Sequence, residues 1–257
     1  MARYIKTIKA GCVLEVEVFY SKEIGKHVPR TVGVGVTTPE QQSRNYFNAV
    51  KKLSRKLNAN FTREDLFLTL TYEKEPTEEE AEKIFKRFLR DIRAVRRLRH
   101  LPELRYIAVT ENRFNKKKRL HHHIVMSKMS IDEVNDIWAH GIVISSRLKK
   151  SGDYAGLAHY ITKEPKREHK KRWSQSKGLL DPEPVYEPVS RAKAESEIRT
   201  PKGYRQAYQV CQHYEEFGLY RYAKFIRLNE FDIAMGNREI SPEDMGIVEN
   251  ILSKIAP

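Results

Sequence analysis

Several short segments of the chain alternate apolar with polar residues, the pattern expected of β-strands that are buried on one face. FLTLTY at 67–72 alternates apolar residues with threonine. RYIAVTEN at 105–112 and LHHHIVMS at 120–127 flank a basic turn, Arg113 to Arg119, and predict a hairpin. Shorter patterns predict further strands at 11–20, 31–36 and 142–146.

Helices are predicted where apolar residues recur at intervals of three and four behind a capping signal. Thr38 with Gln41 begins one helix, which ends at 58–60, and Thr77 with Glu80 begins a second. Two shorter helices are predicted, one capped by Ser130 with Glu133 and one over about 153–163.

The order of elements, strand, helix, strand, strand, helix, strand, predicts an α+β fold with a ferredoxin-like antiparallel sheet flanked by helices, the split βαβ or RRM-like arrangement. N-terminal and C-terminal extensions flank this unit. After Glu164 the pattern dissolves into basic and proline-rich sequence, which favours an extended linker or an ordered loop over core. Residues 204–227 fit a helix and a hairpin equally well.

Charge narrows the class of partner. The 257 residues include 48 Lys and Arg against 34 Asp and Glu, a formal net charge of +14, which points to nucleic acid. No run of 18 apolar residues occurs, so we expect no membrane partner and no signal peptide. Two cysteines cannot build a disulfide framework, which favours a reducing, cytoplasmic compartment. The missing phosphate-binding loop argues against an intrinsic ATPase or helicase.

Three consecutive histidines stand inside the predicted strand at 120–127. Because side chains alternate along a strand, His121 and His123 share one face, while His122 points to the other, into the core or behind the site. Glu111, on the preceding strand, joins the first face in any register with an even pairing sum. Two imidazoles and a carboxylate with open positions suit Mg²⁺ or Mn²⁺ acting on phosphate oxygens. Histidines satisfied by hydrogen bonds are the structural alternative.

A tyrosine and a lysine follow in GLAHYITKEP. Tyr160 and Lys163 are three residues apart and therefore share a helix face. A phenol can attack phosphorus if a metal polarises the phosphate and a cation stabilises the developing charge. This pair is also common on ordinary helix surfaces.

These three pieces, FLTLTY, Glu111 with RLHHHIVM, and HYITKEP, resemble in order and spacing the motifs of the HUH endonuclease superfamily. Within it, the resemblance is to the single-tyrosine rolling-circle replication initiators, or Rep proteins, of phages, plasmids and integrative elements. It covers roughly residues 40–190, including KLNANF before the first strand and KRWSQSKGLLDP after the tyrosine helix.

The resemblance implies a role for each matching residue. His121 and His123 match the paired metal ligands, Glu111 the third ligand, Tyr160 the nucleophile and Lys163 the lysine that follows it. Thr69 and Thr71 are similar in position to residues that line the DNA groove.

Departures from related families refine the resemblance. The position at which two-tyrosine relatives carry a second tyrosine is Gly156 here, and Tyr154 falls off that face. The third histidine of relaxases is missing, because the next one is His140 in another predicted element. A single-tyrosine cycle is therefore expected.

The implied activity is nicking and religation of single-stranded origin DNA by metal-dependent transesterification. It leaves a 5′-phosphotyrosine and a free 3′-OH for a host polymerase, and a separate helicase would unwind the duplex. The substrate would be single-stranded or hairpin origin DNA. An HUH tyrosine transposase and a non-catalytic nucleic-acid-binding protein on a ferredoxin-like sheet remain alternatives.

Basic residues near these motifs are expected to position DNA. The outer face of the second predicted helix could follow phosphates or could simply be solvated; its basic residues are Lys83, Lys86, Arg87, Arg90, Arg93, Arg96, Arg97 and Arg99. The predicted DNA-binding residues outside that helix are Thr69, Thr71, Arg113, Lys116, Lys117, Lys118, Arg119, Lys166, Arg167, Lys170, Lys171 and Arg172. Trp173 is a possible stacking platform, with ordinary packing as the alternative.

The predicted domain organisation follows from these assignments. It comprises N-terminal strands and a helix packing on the catalytic domain at 1–60, an HUH endonuclease catalytic core at 61–165, a basic and proline-rich segment at 166–200, and a C-terminal extension at 201–257.

Overall fold

The protein is described by a computed structural model. The fold is α+β: the described residues form two antiparallel five-stranded sheets and five helices. The predicted strand at 31–36 and most of the basic turn after Glu111 lie outside the described residues. The described residues are 2–21, 38–111, 119–149, 152–163, 171–214 and 218–228.

The chain divides into two compact units. The first comprises the described residues of Met1–Ala59, Asp153–Gly156 and Asp181–Pro257, and the second comprises those of Asn60–Gly152 and Leu157–Leu180. The predicted metal ligands, the predicted nucleophile and its lysine all belong to the second unit.

The first unit is built on one of the two sheets. Its elements are β1 (Ala2–Ala10), β2 (Val13–Ser21), α1 (Pro39–Asn60), β8 (Val185–Pro188), α5 (Arg191–Glu195), β9 (Tyr204–Tyr214) and β10 (Gly218–Arg227). The strand order is β8-β1-β2-β10-β9. Ion pairs lie beside its apolar core: the buried carboxylate of Glu15 accepts hydrogen bonds from the Arg55 guanidinium, and Lys6 pairs with Glu17 at 2.7 Å.

Three sequence predictions for this unit are corrected or resolved. The predicted strand at 11–20 is β2, and the sequence pattern missed β1, which pairs with it across a tight turn in which Gly11 has a φ of 61°. Residues 204–227 form a hairpin. The segment 166–200 is more than a linker, because its residues contribute β8 and a helix with the buried Ala194.

The second unit carries the sheet that positions the site. Its elements are β3 (Leu66–Thr71), α2 (Glu78–Leu98), β4 (Tyr106–Glu111), β5 (His121–Met126), α3 (Ile131–Ile137), β6 (Val143–Arg147), most of α4 (Ala155–Thr162) and β7 (Ser174–Gln175). The strand order is β6-β3-β5-β4-β7, and every pairing is antiparallel.

One face of this sheet packs against α2 and α3. The even-numbered residues of β3, such as Leu68 and Leu70, join Phe85 and Phe88 of α2 and Trp138 after α3 in one apolar core. The alternation in FLTLTY therefore predicts correctly which face is buried. The odd-numbered residues are left for the opposite face, on which the functional side chains stand.

The capping signals have mixed outcomes. At the start of α2, Thr77 and Glu80 form the predicted capping box. The predicted side-chain cap of α3 is wrong, since Ser130 occupies the N-cap position without a side-chain hydrogen bond.

Arg96 of α2 is also not on the outer face. It is buried and donates hydrogen bonds to the carbonyl oxygens of Pro102 and Lys128, so it fastens the end of α2. Among the described residues, no helix is both long and apolar enough to span a membrane.

Candidate metal centre and active site

The β4–β5 hairpin brings the three predicted metal ligands to one face. Glu111 pairs directly with His121, and Val109 pairs with His123. Directly paired residues of antiparallel strands project to the same side, so the carboxylate stands beside both imidazoles. The predicted even register is confirmed.

The ligand atoms form a small triangle. His121 Nε2 lies 3.2 Å from His123 Nε2 and 3.2 Å from Glu111 Oε2, and His123 Nε2 lies 3.5 Å from Glu111 Oε1. His123 and Glu111 are buried, and His121 is partly exposed.

This triangle fits a divalent cation. Ligands about 2.1 Å from a metal are separated by about 3.0 Å at octahedral angles and about 3.4 Å at tetrahedral angles. Glu111 Oε1 is also buried without a hydrogen-bond partner among the described residues, which is costly unless a cation or another donor satisfies it. The three residues could therefore hold a metal ion.

The electrostatics of the cluster favour an ionised carboxylate. Burial raises the pKa of Glu111, but hydrogen bonds with His121 and His123 lower it more, and the pKa lies well below its usual range. The hydrogen bond with Glu111 raises the pKa of His121, against the effect of burial. Bringing the imidazoles and the carboxylate together thus preserves the negative charge that a cation needs.

The outer nitrogens of both imidazoles have partners that orient the rings. His121 Nδ1 donates a hydrogen bond to the carbonyl of Arg119 at 2.9 Å, which directs the Nε2 lone pair toward the cluster. His123 Nδ1 lies 3.0 Å from the hydroxyl of Thr69. Thr69, predicted to line the DNA groove, therefore lies directly behind a candidate metal ligand.

The predicted nucleophile lies beside the triangle. The ring centroid of Tyr160 is 5.2 Å from that of His123 and 6.2 Å from that of Phe67, and its side chain is 44% exposed. Phe67 also stacks on His123 at 5.6 Å. Lys163 Nζ lies 4.1 Å from the centre of the Tyr160 ring. One apolar ring thus supports both a metal ligand and the tyrosine.

These groups share a cleft of about 970 Å³ within the second unit. Glu111, His121, Tyr160 and Lys163 line it together with Arg119. The cleft is large enough for a nucleotide segment, and it places the candidate ligands and the phenol against one volume.

The remaining predicted DNA-binding residues are spread more widely. Thr71 lines the cleft, but its hydroxyl donates a hydrogen bond to the carbonyl of Ile142. Arg119 is exposed and donates to the carbonyl of Glu73; Lys171 is exposed, and Arg172 donates to the carbonyl of Thr162. The predicted residues outside the described part of the chain are Arg113, Lys116, Lys117, Lys118, Lys166, Arg167 and Lys170.

His122 lies on the opposite face, as the alternation predicts. It is 1% exposed, its Nε2 is 2.7 Å from the Tyr72 hydroxyl, and its Nδ1 is 2.8 Å from the Thr110 hydroxyl. Phe85 stacks on the ring at 4.5 Å. This histidine belongs to the core.

Two residues of the site escaped the sequence reasoning. Phe67 has the same strand parity as Thr69 and Thr71, so that parity could have placed it on the site face. The contact of Thr69 with His123 needed the pairing of β3 with β5, in which the two residues are directly opposite.

A comparison with known protein families matches part of the chain. Residues 65–165 match the family of replication-associated proteins represented by ORF2, and this range contains all three candidate ligands, Tyr160 and Lys163. Neither the search of curated proteins nor that of solved structures found a match. Over residues 65–165 the chain is therefore similar to replication-associated proteins of the rolling-circle Rep type, which confirms the resemblance drawn from its motifs.

Proposed function

We propose that this protein is a replication initiator that nicks and religates single-stranded origin DNA through one tyrosine. The observation that carries the proposal is the position of the Tyr160 ring, 5.2 Å from the ring of His123 in a Glu-His-His cluster that could hold a metal. The match of residues 65–165 to a replication-associated family supports it.

Glu111, His121 and His123 would hold the divalent ion, which we propose is Mg²⁺ or Mn²⁺ because the set mixes imidazole with carboxylate. Such an ion, when bound, withdraws charge from a phosphate oxygen and makes the phosphorus more electrophilic.

The chain's own residues would perform the transfer. The phenol oxygen of Tyr160 forms a bond to phosphorus while the bond from phosphorus to the 3′ oxygen breaks, and that oxygen leaves as a 3′-OH with the proton that the phenol loses. Lys163, over the Tyr160 ring, favours the negative charge that develops on the phenol. One phosphodiester replaces another, so a later 3′-OH can reverse the step without ATP.

The architecture supports a ferredoxin-like core as part of this proposal. Strands β6-β3-β5-β4 follow the spatial order expected for a split βαβ unit, with α2 and α3 against one face. We propose that residues 61–165 are the catalytic core and that Arg119, Lys171 and Arg172 contribute to DNA binding.

The test is a covalent adduct. The protein is incubated with Mn²⁺ and a labelled pool of random-sequence single strands and hairpins, denatured in SDS, and scored for DNA that migrates with the protein. We expect an adduct with the wild type and none with Tyr160→Phe. Tyr186→Phe is the matched control, because Tyr186 is 43% exposed and lies in the other unit.

Two results would contradict the proposal. An adduct that survives Tyr160→Phe would exclude the assigned nucleophile. DNA retained in a native gel without any adduct would instead favour a non-catalytic binding protein.

A further inference from the structure

Two large aliphatic side chains stand in solvent at the edge of the catalytic sheet. Ile142 is 70% exposed and Ile144 is 61% exposed, while Val143 between them packs against the core. β6 is the edge strand of its sheet. Exposed aliphatic side chains on an edge strand favour unwanted association, so a pair of them indicates a binding surface.

The sheet register puts both isoleucines on the face of the metal cluster. Ile144 is the direct partner of Thr69, which is the direct partner of His123. Ile142 holds the same relation to Thr71, whose direct partner is His121. Because directly paired residues project to one side, two rows cross the sheet from the candidate ligands to the isoleucines. Two strand spacings separate β6 from β5, about 10 Å.

The surface is continuous with the cleft. Ile142 lines the same volume as His121, Tyr160 and Lys163. A nucleotide strand whose phosphate lies at the cluster would therefore find cationic side chains on one side and aliphatic side chains on the other.

Backbone contacts hold this edge in place. Thr71 N–H donates to the carbonyl of Ile142 at 3.0 Å, and Ile142 N–H donates to the Thr71 hydroxyl at 3.2 Å. Gly141 makes the approach possible, because a Cβ there would clash with the carbonyl oxygen of Thr71. The isoleucines thus have a defined position relative to the cluster.

We propose that Ile142 and Ile144 form an apolar platform on which bases of single-stranded DNA pack next to the scissile phosphate. This inference rests on the proposed function for its substrate. Bases splayed from a single strand expose flat apolar faces that need cover from water, and packing against them is tolerant of sequence. The platform supplies affinity through bases, while Lys163 and Arg119 act on phosphates.

The experiment measures DNA binding separately from cleavage. In a Tyr160→Phe background, Ile142→Thr with Ile144→Thr keeps β-branched residues on the strand but removes the aliphatic surface. We expect the Kd for a labelled single strand to rise about three- to tenfold, with an unchanged salt dependence because no phosphate contact is lost. An oligonucleotide with abasic sites beside the preferred cleavage position should bind wild type and variant alike.

Leu98→Thr is the matched control, since Leu98 is 78% exposed in the same unit but belongs to α2. Thermal unfolding checks that each variant is folded, and the single substitutions at 142 and 144 provide the test if the double variant is not.

The outcomes separate the two proposals. Equal affinity of wild type and variant for the intact strand would overturn the platform, as would an altered salt slope. A variant that loses self-association in ultracentrifugation but keeps its DNA affinity would show a surface for a second copy, which also overturns it. A weakened variant in a protein that forms no adduct would uphold the platform and reject the nicking function.

Discussion

The two faces of strand β5 give adjacent histidines opposite roles. On the core face, His122 is enclosed by aromatic rings, and both ring nitrogens lie within 2.8 Å of a hydroxyl. On the other face, His121 and His123 direct their Nε2 atoms at one another and at Glu111, whose Oε1 has no hydrogen-bond partner in the part of the chain that the structure describes.

The comparison shows that residue type alone does not assign a role. A histidine whose two nitrogens are satisfied by hydroxyls stabilises the fold. Imidazoles whose outer nitrogens are fixed while their inner nitrogens converge on a carboxylate form a place for a cation. The four predictions below test this contrast, from the largest expected effect to the smallest.

Removing the site-face pair should abolish activity without unfolding the protein. We expect His121→Ala with His123→Ala to lower adduct formation about a thousandfold and to eliminate Mn²⁺ binding measured by calorimetry. The variant should still bind DNA at low salt, because that binding rests on basic residues elsewhere. His140→Ala, at an exposed histidine of the same unit, is the control; cleavage unchanged in the double variant would contradict the metal site.

Removing the core-face histidine should have the reverse effect. His122→Ala leaves a cavity beside Phe85 and removes the partner of the Tyr72 and Thr110 hydroxyls, so we expect a loss of about 3 kcal/mol in the free energy of unfolding measured with urea. The folded fraction should still bind Mn²⁺. A variant of unchanged stability that no longer binds the metal would reverse the assignment of the two faces.

The two threonines of β3 should differ in their effect on the metal. Thr69→Val removes the hydroxyl at His123 Nδ1, and we expect about a tenfold weaker Mn²⁺ affinity. Thr71→Val is the matched control, because its hydroxyl bonds the backbone of Ile142 and contacts no candidate ligand among the described residues. Equal affinities of the two variants would remove Thr69 from the metal site.

The site face alone should respond to pH through its metal. The pKa of His121 is raised, chiefly by its hydrogen bond with Glu111, so protons compete for its Nε2 above the ordinary value of about 6.5. Mn²⁺ affinity should therefore fall as the pH drops from 8 to 7, by less than about tenfold for one displaced proton. Calorimetry in two buffers would show the released proton, and an affinity that rises toward low pH would contradict the expected sign.

Local signals predicted much of the second unit because its strands alternate clearly. The parity of Glu111, His121 and His123 placed them on one face before any register was known, and the capping box at Thr77 marked the start of α2. Strand β1 was missed because its apolar positions are interspersed with basic residues, and the predicted cap at Ser130 forms no side-chain hydrogen bond.

What the sequence determined by itself was which side chains share a face, because a strand's period of two is a property of the backbone and needs no partner. Only the tertiary structure decided which faces and elements meet. The pairing of β3 with β5 set Thr69 behind His123, and packing brought Tyr160 and Phe67 to the same ring. It also buried Arg96 and left Ile142 and Ile144 exposed, since contacts between residues distant in the chain depend on how all the elements pack together.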